Sequence, residues 1–467
     1  MEEKFVRALA LHRGGSLLEV RQLYLEILHE FSQHAGALHQ LGLLCRQQGR
    51  HAEALALLRQ AVAIRPGEAV FHGNLGNALR DTDQFPEAAQ AYREAIRLAP
   101  DFFHAYNNLG VLLLRQRQPL QALDCLVKAL QLAPSFVDAL NNLGVARNEL
   151  GQFDEAMACY ARVLALQPAH QDALYNLGNC EIHAGNLARA LEHFCQAVQV
   201  NPESRSGLAS KLRQALIHYL RDEPEGARRA LAGVDAPPGS GQAFSYQHYI
   251  ASLLHWWDAA HPAAAAAGQI HAIGESHVLS AHGAVLDIGG GARRCQGWWI
   301  EGCKQWHLAN GEANRFKAQF TRIVERLAPR SWLLLAIGEI DCRHDEGLLP
   351  AWRKSPGQTL ASMIAATVEG HVHHVEAATA RLGHRLVFCG VPASNYPADR
   401  MRAEDRPVLA QLIAAFNAHL ERHALARGHR FLDLFSLTVG PDGFGNGRWH
   451  LDAHHLRPDA WRAAIMK

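Results

Sequence analysis

The sequence predicts an all-α repeat solenoid in the first half of the chain and a three-layer α/β/α domain with a parallel sheet in the second half. In the first half, Leu-Gly pairs and prolines recur every 34 residues, and a fixed period of this length is typical of stacked helical units. In the second half the period is lost and apolar runs alternate with helical stretches, which predicts βαβ units. A length of 467 residues suits two or three domains of roughly 150 residues each.

Each repeat carries a glycine in its first helix and a proline at its end. The glycines are Gly42, Gly76, Gly110, Gly144 and Gly178, and the prolines are Pro66, Pro100, Pro134, Pro168 and Pro202. Small residues let the two helices of a unit approach, bulky ones fill the groove between them, and the proline ends the second helix because it has no N–H to donate. This pattern resembles the tetratricopeptide repeat. Five clear repeats span about 35–204, with degenerate caps on either side that cover the terminal apolar faces.

A column of asparagines stands two residues before these glycines, at Asn74, Asn108, Asn142 and Asn176, with Gln40 in the first repeat. Side chains one repeat apart on the first helices line the concave surface. The arrays of O-linked N-acetylglucosaminyl transferases, which this one resembles, use an asparagine ladder to hold the backbone of an extended polypeptide. The resemblance therefore implies a polypeptide ligand in the groove. The alternative is that these asparagines only bond neighbouring helices.

Turn and linker residues in 234–241 predict a domain boundary near 240. We divide the chain into a solenoid over 1–233, a linker with connecting helices over 234–267, and the α/β domain over 268–467. The predicted strands are Ile270–Ile273, Ala284–Ile288, Trp332–Ile337, Arg385–Val391 and Arg430–Phe435, and the predicted helices are 311–328, 356–382 and 403–427.

The first predicted strand ends at Gly274 and presents Ser276 two residues later. Open α/β sheets place their sites beyond the carboxyl ends of such strands, so Ser276 is a candidate nucleophile. The alternative is a serine that caps the next helix. Near the end of the chain, Asp452 stands three residues before His455, which offers a base and its orienting carboxylate from one turn. The adjacent His454 is a less favoured base because it lacks this spacing.

The order of these motifs resembles the SGNH (GDSL-type) hydrolases over roughly 268–467. The resemblance rests on three segments: Gly274-Glu275-Ser276, Gly338-Glu-Ile-Asp341-Cys-Arg343 and Asp452-Ala-His-His455-Leu-Arg-Pro458. It implies that Ser276 attacks an ester carbonyl, His455 takes the serine proton, and Asp452 fixes the imidazole tautomer. It makes an O-acetylated carbohydrate or glycan a reasonable substrate class, with no cofactor and no metal. Transfer of the acyl group to another hydroxyl suits the same triad.

The oxyanion hole departs from the family pattern. The best match to the family's glycine donor is Gly302, with Gly297 second, but Ile340 stands where the family has an asparagine. One missing donor costs about a hundred- to a thousandfold in rate. Arg343 is the candidate replacement, and the alternative is that it pairs structurally with Asp341 or Glu339.

Three other functions are alternatives to an esterase. The first is an inactive hydrolase-like domain in an interaction scaffold, which Ile340 favours. The second is an S-adenosylmethionine-dependent methyltransferase, suggested by Ala284-Val-Leu-Asp-Ile-Gly-Gly-Gly291, although no helix pattern follows it. The third is metal binding at His371 and His374, for which a solvated helix face is preferred because no carboxylate or cysteine set completes a site.

Composition excludes several classes of partner. A net charge of +1 leaves no electrostatic footprint for nucleic acid or a lipid surface. Nine scattered cysteines fit reduced thiols better than a disulfide framework. The first residues lack the basic segment and apolar core of a signal peptide, so we expect a cytoplasmic protein without membrane insertion.

Overall fold

The computed structural model describes residues 2–13, 17–232, 234, 242–257, 266, 268–288 and 290–466. Contacts divide the chain into two compact units. The first is Met1–Leu150 with Asp154–Pro168, and the second is Gly151–Phe153 with Ala169–Lys467. This division falls before the fifth repeat. Of the predicted linker over 234–267, residues 235–241, 258–265 and 267 lie outside the described residues.

The repeats are helical hairpins with the predicted period. Their helices, with the pair that precedes them, are α1 (Glu2–Arg13), α2 (Leu17–Glu30), α3 (Ala35–Gln47), α4 (His51–Ile64), α5 (Ala69–Asp81), α6 (Phe85–Leu98), α7 (Phe103–Arg115), α8 (Pro119–Leu132), α9 (Val137–Glu149), α10 (Phe153–Leu166), α11 (Gln171–His183) and α12 (Leu187–Val200). From α3 onward, every first helix has 13 residues and every second helix has 14.

The repeat glycines let a bulky residue of the second helix lie against the first. A Cβ atom at Gly76 would be 2.6 Å from the Tyr92 ring, and one at Gly144 would be 2.5 Å from the Tyr160 ring. Both tyrosines are buried. The period in the sequence is therefore a packing requirement within each hairpin.

The second unit continues from the fifth repeat into a mixed α/β structure. Its further helices are α13 (Arg205–Leu220), α14 (Pro224–Leu231), α15 (Gln242–His255), α16 (His277–Ala281), α17 (Gln305–Ala309), α18 (Arg315–Arg326), α19 (Leu348–Arg353), α20 (Leu360–Thr379), α21 (Asp405–Ala426), α22 (Phe435–Thr438) and α23 (Ala460–Ala463). Its strands are β1 (Gly268–Gly274), β2 (Val285–Asp287), β3 (Ala292–Trp299), β4 (Trp332–Ala336), β5 (Arg385–Cys389), β6 (Arg430–Asp433) and β7 (Ile465–Met466).

The seven strands form one sheet in the order β2-β3-β1-β4-β5-β6-β7. The five central strands are parallel, and the two edge strands, β2 and β7, are antiparallel to their neighbours. The prediction of a parallel sheet therefore holds for the five central strands, and the two edge strands make the sheet mixed. Segment 284–288 forms the antiparallel edge strand β2, and the parallel strand beside β1 is β3, which the sequence did not predict.

Two apolar layers cover the sheet, because successive residues of a strand face opposite sides. One layer joins Leu333 and Leu335 of β4 to helices α18, α20 and α21. The other joins Leu334 of β4 to α13, α15 and α16. Helices placed in the predicted cap and linker thus form part of the α/β core, which explains why the contacts divide the chain earlier than the sequence suggests.

Candidate functional site

The candidate site lies where the strand order reverses. Taken in chain order, the five parallel strands have the spatial arrangement 2-1-3-4-5, and ligands in such sheets bind beyond the carboxyl ends of the strands at the reversal. Here that point is between β1 and β4, which pair from Ile270↔Trp332 to Gly274↔Ala336. Ser276 follows β1, and the segment Gly338–Arg343 follows β4.

Ser276 lies in a tight strand-to-helix turn. A Cβ atom at Gly274 would collide with the carbonyl oxygen of Ala336, so only glycine lets β1 and β4 approach at this point. Ser276 occupies the N-cap position of α16, but its side chain makes no capping hydrogen bond. The capping alternative therefore does not describe this serine.

The Ser276 hydroxyl donates a hydrogen bond to the carboxylate of Glu275. Ser276 is 1% exposed and Glu275 is also buried. The hydroxyl of Tyr246, on α15, donates to the other Glu275 oxygen at 3.2 Å. Burial raises the pKa of Glu275, because a buried carboxylate loses its hydration.

Asp452 and His455 form a dyad. The Asp452 Oδ2 atom lies 2.7 Å from His455 Nδ1, and Oδ1 accepts the backbone N–H groups of His454 and His455 at 2.7 and 2.8 Å. Because a carboxylate only accepts, Nδ1 carries a proton, and in the neutral form of the ring the acceptor is then Nε2. Burial alone would raise the pKa of Asp452, but the hydrogen bond and charge of His455 and the two amides hold it well below its usual range.

Neighbouring loops and α15 hold this dyad in place. Asn395, in the loop after β5, donates through its side chain to the Asp452 carbonyl at 3.3 Å. The ring of Tyr249 stacks on His455, with ring centroids 3.8 Å apart and an interplanar angle of 18°. The Tyr249 hydroxyl donates to the Ser276 carbonyl at 3.0 Å. Tyr249 thus contacts both ends of the proposed Ser-His pair.

Among the described residues, no hydrogen bond joins Ser276 Oγ to His455. The structure brings Asp452 to His455 and places Tyr249 against both His455 and Ser276, but the serine hydroxyl is directed at Glu275. The adjacent His454 has a different partner, since its Nδ1 lies 3.0 Å from the Glu339 carboxylate. The Asp452 side chain is therefore bound to the imidazole of His455 and not to that of His454.

The candidate oxyanion donors differ in availability. Gly302 follows the end of β3 in a left-handed turn with φ 69°. The Gly297 amide lies within β3 and donates to His282 Nδ1 at 3.1 Å, so it is committed elsewhere. Ile340 is buried in the turn after β4 and has no polar side-chain group to donate.

Arg343 forms a partly buried ion pair with Glu339, whose side chains are 15% and 11% exposed. Its Nε lies 2.9 Å from both Glu339 oxygens, and its Nη1 donates to Glu346 at 3.0 Å. Burial alone would raise the pKa of Glu339, but the charge of Arg343 and hydrogen bonds from His454 and Arg343 hold it well below its usual range. Arg343 is therefore paired with Glu339, which was the alternative to its role as an oxyanion donor.

Asp341 supports the turn and does not face Arg343. Its carboxylate accepts the backbone N–H groups of Gln305 at 2.7 Å and Trp306 at 3.3 Å, at the start of α17. Burial raises its pKa to about 6, although these amide hydrogen bonds act in the opposite direction. Gly338, with φ 132°, provides the backbone conformation that opens this turn.

One set of side chains at the site has metal-ligating geometry. Glu275, His277 and Glu339 bring ligand atoms within 4.8 Å of one another. His277 is buried, its Nε2 has no hydrogen-bond partner among the described residues, and burial lowers its pKa to about 3. However, Arg343 and His454 already bind the Glu339 oxygens, so a cation would have to displace a buried positive charge.

The methyltransferase alternative does not fit the local structure. Asp287 ends β2 and pairs with Ala292 of the antiparallel strand β3. Between these two strands the Ile288 N–H donates to Gly291 O at 3.1 Å, and Gly289 lies outside the described residues. A methyltransferase motif needs a glycine turn that leads into a helix, and here it leads into a strand.

The two histidines weighed as metal ligands lie on α20 but not on a solvated face. His371 is 1% exposed and meets the Phe388 ring at 88°, with centroids 5.8 Å apart. Burial lowers the pKa of His371 to about 3 and that of His374 to about 4. The solvated-face interpretation is therefore wrong for His371.

The asparagine column is half-buried and partly bonded to neighbouring repeats. Asn74 lies 2.9 Å from His39 Nε2, and Asn142 donates to Asn107 Oδ1 at 3.0 Å. Asn108 accepts from Asn107 at 3.3 Å. Asn176, in the second unit, also has a partner. Asn74 and Asn142 thus use part of their hydrogen-bonding capacity between helices, as expected if the asparagines bond neighbouring helices.

Sequence reasoning missed the two tyrosines of α15 and the site roles of His277 and Glu339. Tyr246 and Tyr249 are three residues apart, so on a helix they share a face, and this spacing was the available signal. Their contact with Ser276 and Glu275 depends on how α15 packs on the sheet, which a local pattern does not encode.

Comparisons with known proteins bear on the repeats. Models described as tetratricopeptide repeat or TPR repeat match residues 35–68, 76–116, 112–158 and 148–206. The chain therefore contains tetratricopeptide repeats. This confirms the repeat prediction, and the repeat region is a protein–protein interaction scaffold. No curated protein matches the chain.

Solved structures also resemble parts of the chain. YrrB, described as a TPR protein with an unusual peptide-binding site, is 25% identical, with 40% of this chain and 97% of that chain covered and a TM-score of 0.33. PilF of Pseudomonas aeruginosa is 21% identical, with 47% and 97% covered and a TM-score of 0.41. A tetratricopeptide repeat protein from Parabacteroides merdae is 16% identical, with 54% and 98% covered and a TM-score of 0.44.

Within the described ranges, every helix is too short or too polar to cross a bilayer.

Proposed function

We propose that the α/β domain is a serine esterase of SGNH type, which the tetratricopeptide repeats bring to a protein partner. Ser276 is the nucleophile, His455 the base and Asp452 its orienter. The observation that carries the proposal is the dyad: Asp452 fixes the proton on Nδ1 of His455 and leaves Nε2 as an acceptor. The position of Ser276 at the reversal of strand order supports the same function.

The reaction begins when the Ser276 hydroxyl turns from Glu275 toward His455 Nε2. The oxygen then attacks an acyl ester, His455 takes the proton, and the alcohol leaves with that proton. Water activated by His455 hydrolyses the acyl-enzyme, or a second hydroxyl accepts the acyl group. The Gly302 amide is the proposed oxyanion donor beside the Ser276 amide. An O-acetylated carbohydrate or glycan is the proposed substrate class.

The test is covalent labelling of the purified full chain with a fluorophosphonate probe. We expect wild type to be labelled and Ser276→Ala and His455→Ala not to be. The matched control is Ser394→Ala, because Ser394 lines the cleft that contains His454 and has no role in the reaction. Far-UV circular dichroism and tryptophan emission must show that each variant is folded. If the folded wild type is not labelled, the proposed esterase function is wrong.

A second candidate is a scaffold whose α/β domain is inactive. Two observations favour it: the Ser276 hydroxyl is bonded to Glu275 and nearly inaccessible, and Arg343 is fully engaged by carboxylates. In both proposals the groove of the repeats in the first unit holds a polypeptide through Asn74, Asn108 and Asn142. A peptide library screened by fluorescence polarisation, with Asn74→Ala plus Asn108→Ala as the test variant, should show at least tenfold weaker binding by the variant.

A further inference from the structure

Two long helices of the second unit present a second ligand set, away from Ser276. Glu369 lies on α20, and His419 and His423 lie one turn apart on α21. The ligand atoms of all three side chains are within 4.8 Å of one another. We propose that Glu369, His419 and His423 bind a zinc ion that links α20 to α21.

The chemistry of this set matches zinc. Two imidazoles and one carboxylate are a common three-ligand set for zinc, which then takes water in its fourth position. Histidines at positions i and i+4 of a helix point to the same side, as a chelating pair requires. The rings of His419 and His423 are stacked at 10°, with centroids 6.2 Å apart.

The distances also fit. His419 Nε2 lies 3.2 Å from Glu369 Oε1. Two ligand atoms that bind one tetrahedral zinc ion at about 2.0–2.1 Å are about 3.3 Å apart. A zinc ion would therefore replace the direct contact with little movement of either helix. The helices are held by a shared apolar core that includes Val368, Val372 and Leu420, which keeps the ligands in position.

The surroundings permit entry and leave the charge on Glu369 available. The side chains of Glu369 and His419 are 53% and 25% exposed, so hydrated zinc has access. The nearby Arg427 is engaged by Glu376, as is His429 at 2.8 Å. The charge of Arg427 is therefore neutralised by another carboxylate and does not compete for Glu369.

The test is zinc titration of the metal-free full chain by calorimetry, for wild type and for His419→Gln, His423→Gln and Glu369→Gln. We expect each variant to lose one binding equivalent or to bind it at least tenfold more weakly. The matched control is His429→Gln, which removes an imidazole from the same region but outside the set, and it should titrate like wild type. The chain has 29 histidines, so the difference between variant and control is the decisive quantity.

Two further measurements separate loss of the site from misfolding. Zinc should raise the urea midpoint of wild type, since a ligand that binds only the folded state stabilises it, and this shift should vanish in His423→Gln. Cobalt in place of zinc should give the visible bands of a tetrahedral site, absent from the same variant. Wild type that binds no zinc, or variants that titrate like the control, would overturn the proposal.

Discussion

At the scale of single residues, Asp452 uses both carboxylate oxygens for different purposes. One oxygen closes the turn through two backbone amides, and the other orients His455. The spacing Asp-x-x-His predicted this arrangement because the contact is local. The rotamer of Ser276 was not predictable from the sequence. Its hydroxyl donates to Glu275, and this orientation depends on the packing of side chains that are distant in the sequence.

Replacement of Asp452 by asparagine should slow labelling by the fluorophosphonate probe by about two to four orders of magnitude at neutral pH. The amide cannot stabilise the imidazolium and permits the wrong tautomer. The measurement is the second-order rate of labelling. Asp442→Asn is the control, since Asp442 is an exposed carboxylate paired with Arg406, and it should label at the wild-type rate. Equal labelling rates for Asp452→Asn and wild type would show that Asp452 does not assist His455 in the reaction.

At the scale of elements, the helices of the repeats were predictable because their packing is repeated every 34 residues. The strand β3 was not predictable from apolar pattern, because Arg293 and Arg294 occupy its first half and only alternate residues of its second half are buried. The edge strand β7 has two residues, too few for any periodicity.

Within a repeat, Gly144→Ala should lower the free energy of unfolding by up to about 2 kcal/mol, because overpacking costs about 1–3 kcal/mol and the higher helix propensity of alanine offsets roughly 1 kcal/mol of this. The added Cβ atom would be 2.5 Å from the ring of Tyr160, which is buried. Urea unfolding followed by circular dichroism measures the change.

The control for this substitution is Gly67→Ala. Gly67 lies between two helices, and a Cβ atom there would meet nothing within 4 Å, so its midpoint should stay the same or rise. A Gly144→Ala protein as stable as wild type would mean that the groove accepts a larger side chain.

At the scale of the whole molecule, buried neutral histidines make stability depend on pH. Burial lowers the pKa of His39 to about 4 and those of His277 and His371 to about 3, from about 6.5. Below pH 6.5 the unfolded chain therefore binds protons that the folded chain does not. Stability is complete above that pH and falls progressively toward pH 3–4.

At pH 5, the low pKa of His371 alone should lower the free energy of unfolding by about 2 kcal/mol relative to pH 7.5. His371→Leu should reduce the pH 5 loss by about that amount, and the exposed His373→Gln should not. All nine tryptophans lie after residue 255, so their emission during urea unfolding reports the half that contains His371. An identical pH dependence for wild type and His371→Leu would show that the ring is protonated in the folded state.

The layer formed by α13 and α15 determines where the chain can be truncated without exposing the core of the sheet. Tyr219, Tyr249 and Leu253 complete one side of the sheet's core, so a fragment begun at 268 would expose that apolar side to water and aggregate. A fragment begun at 169 keeps every layer. A cut that keeps the core of the α/β domain intact therefore lies inside the repeat array, before the fifth repeat.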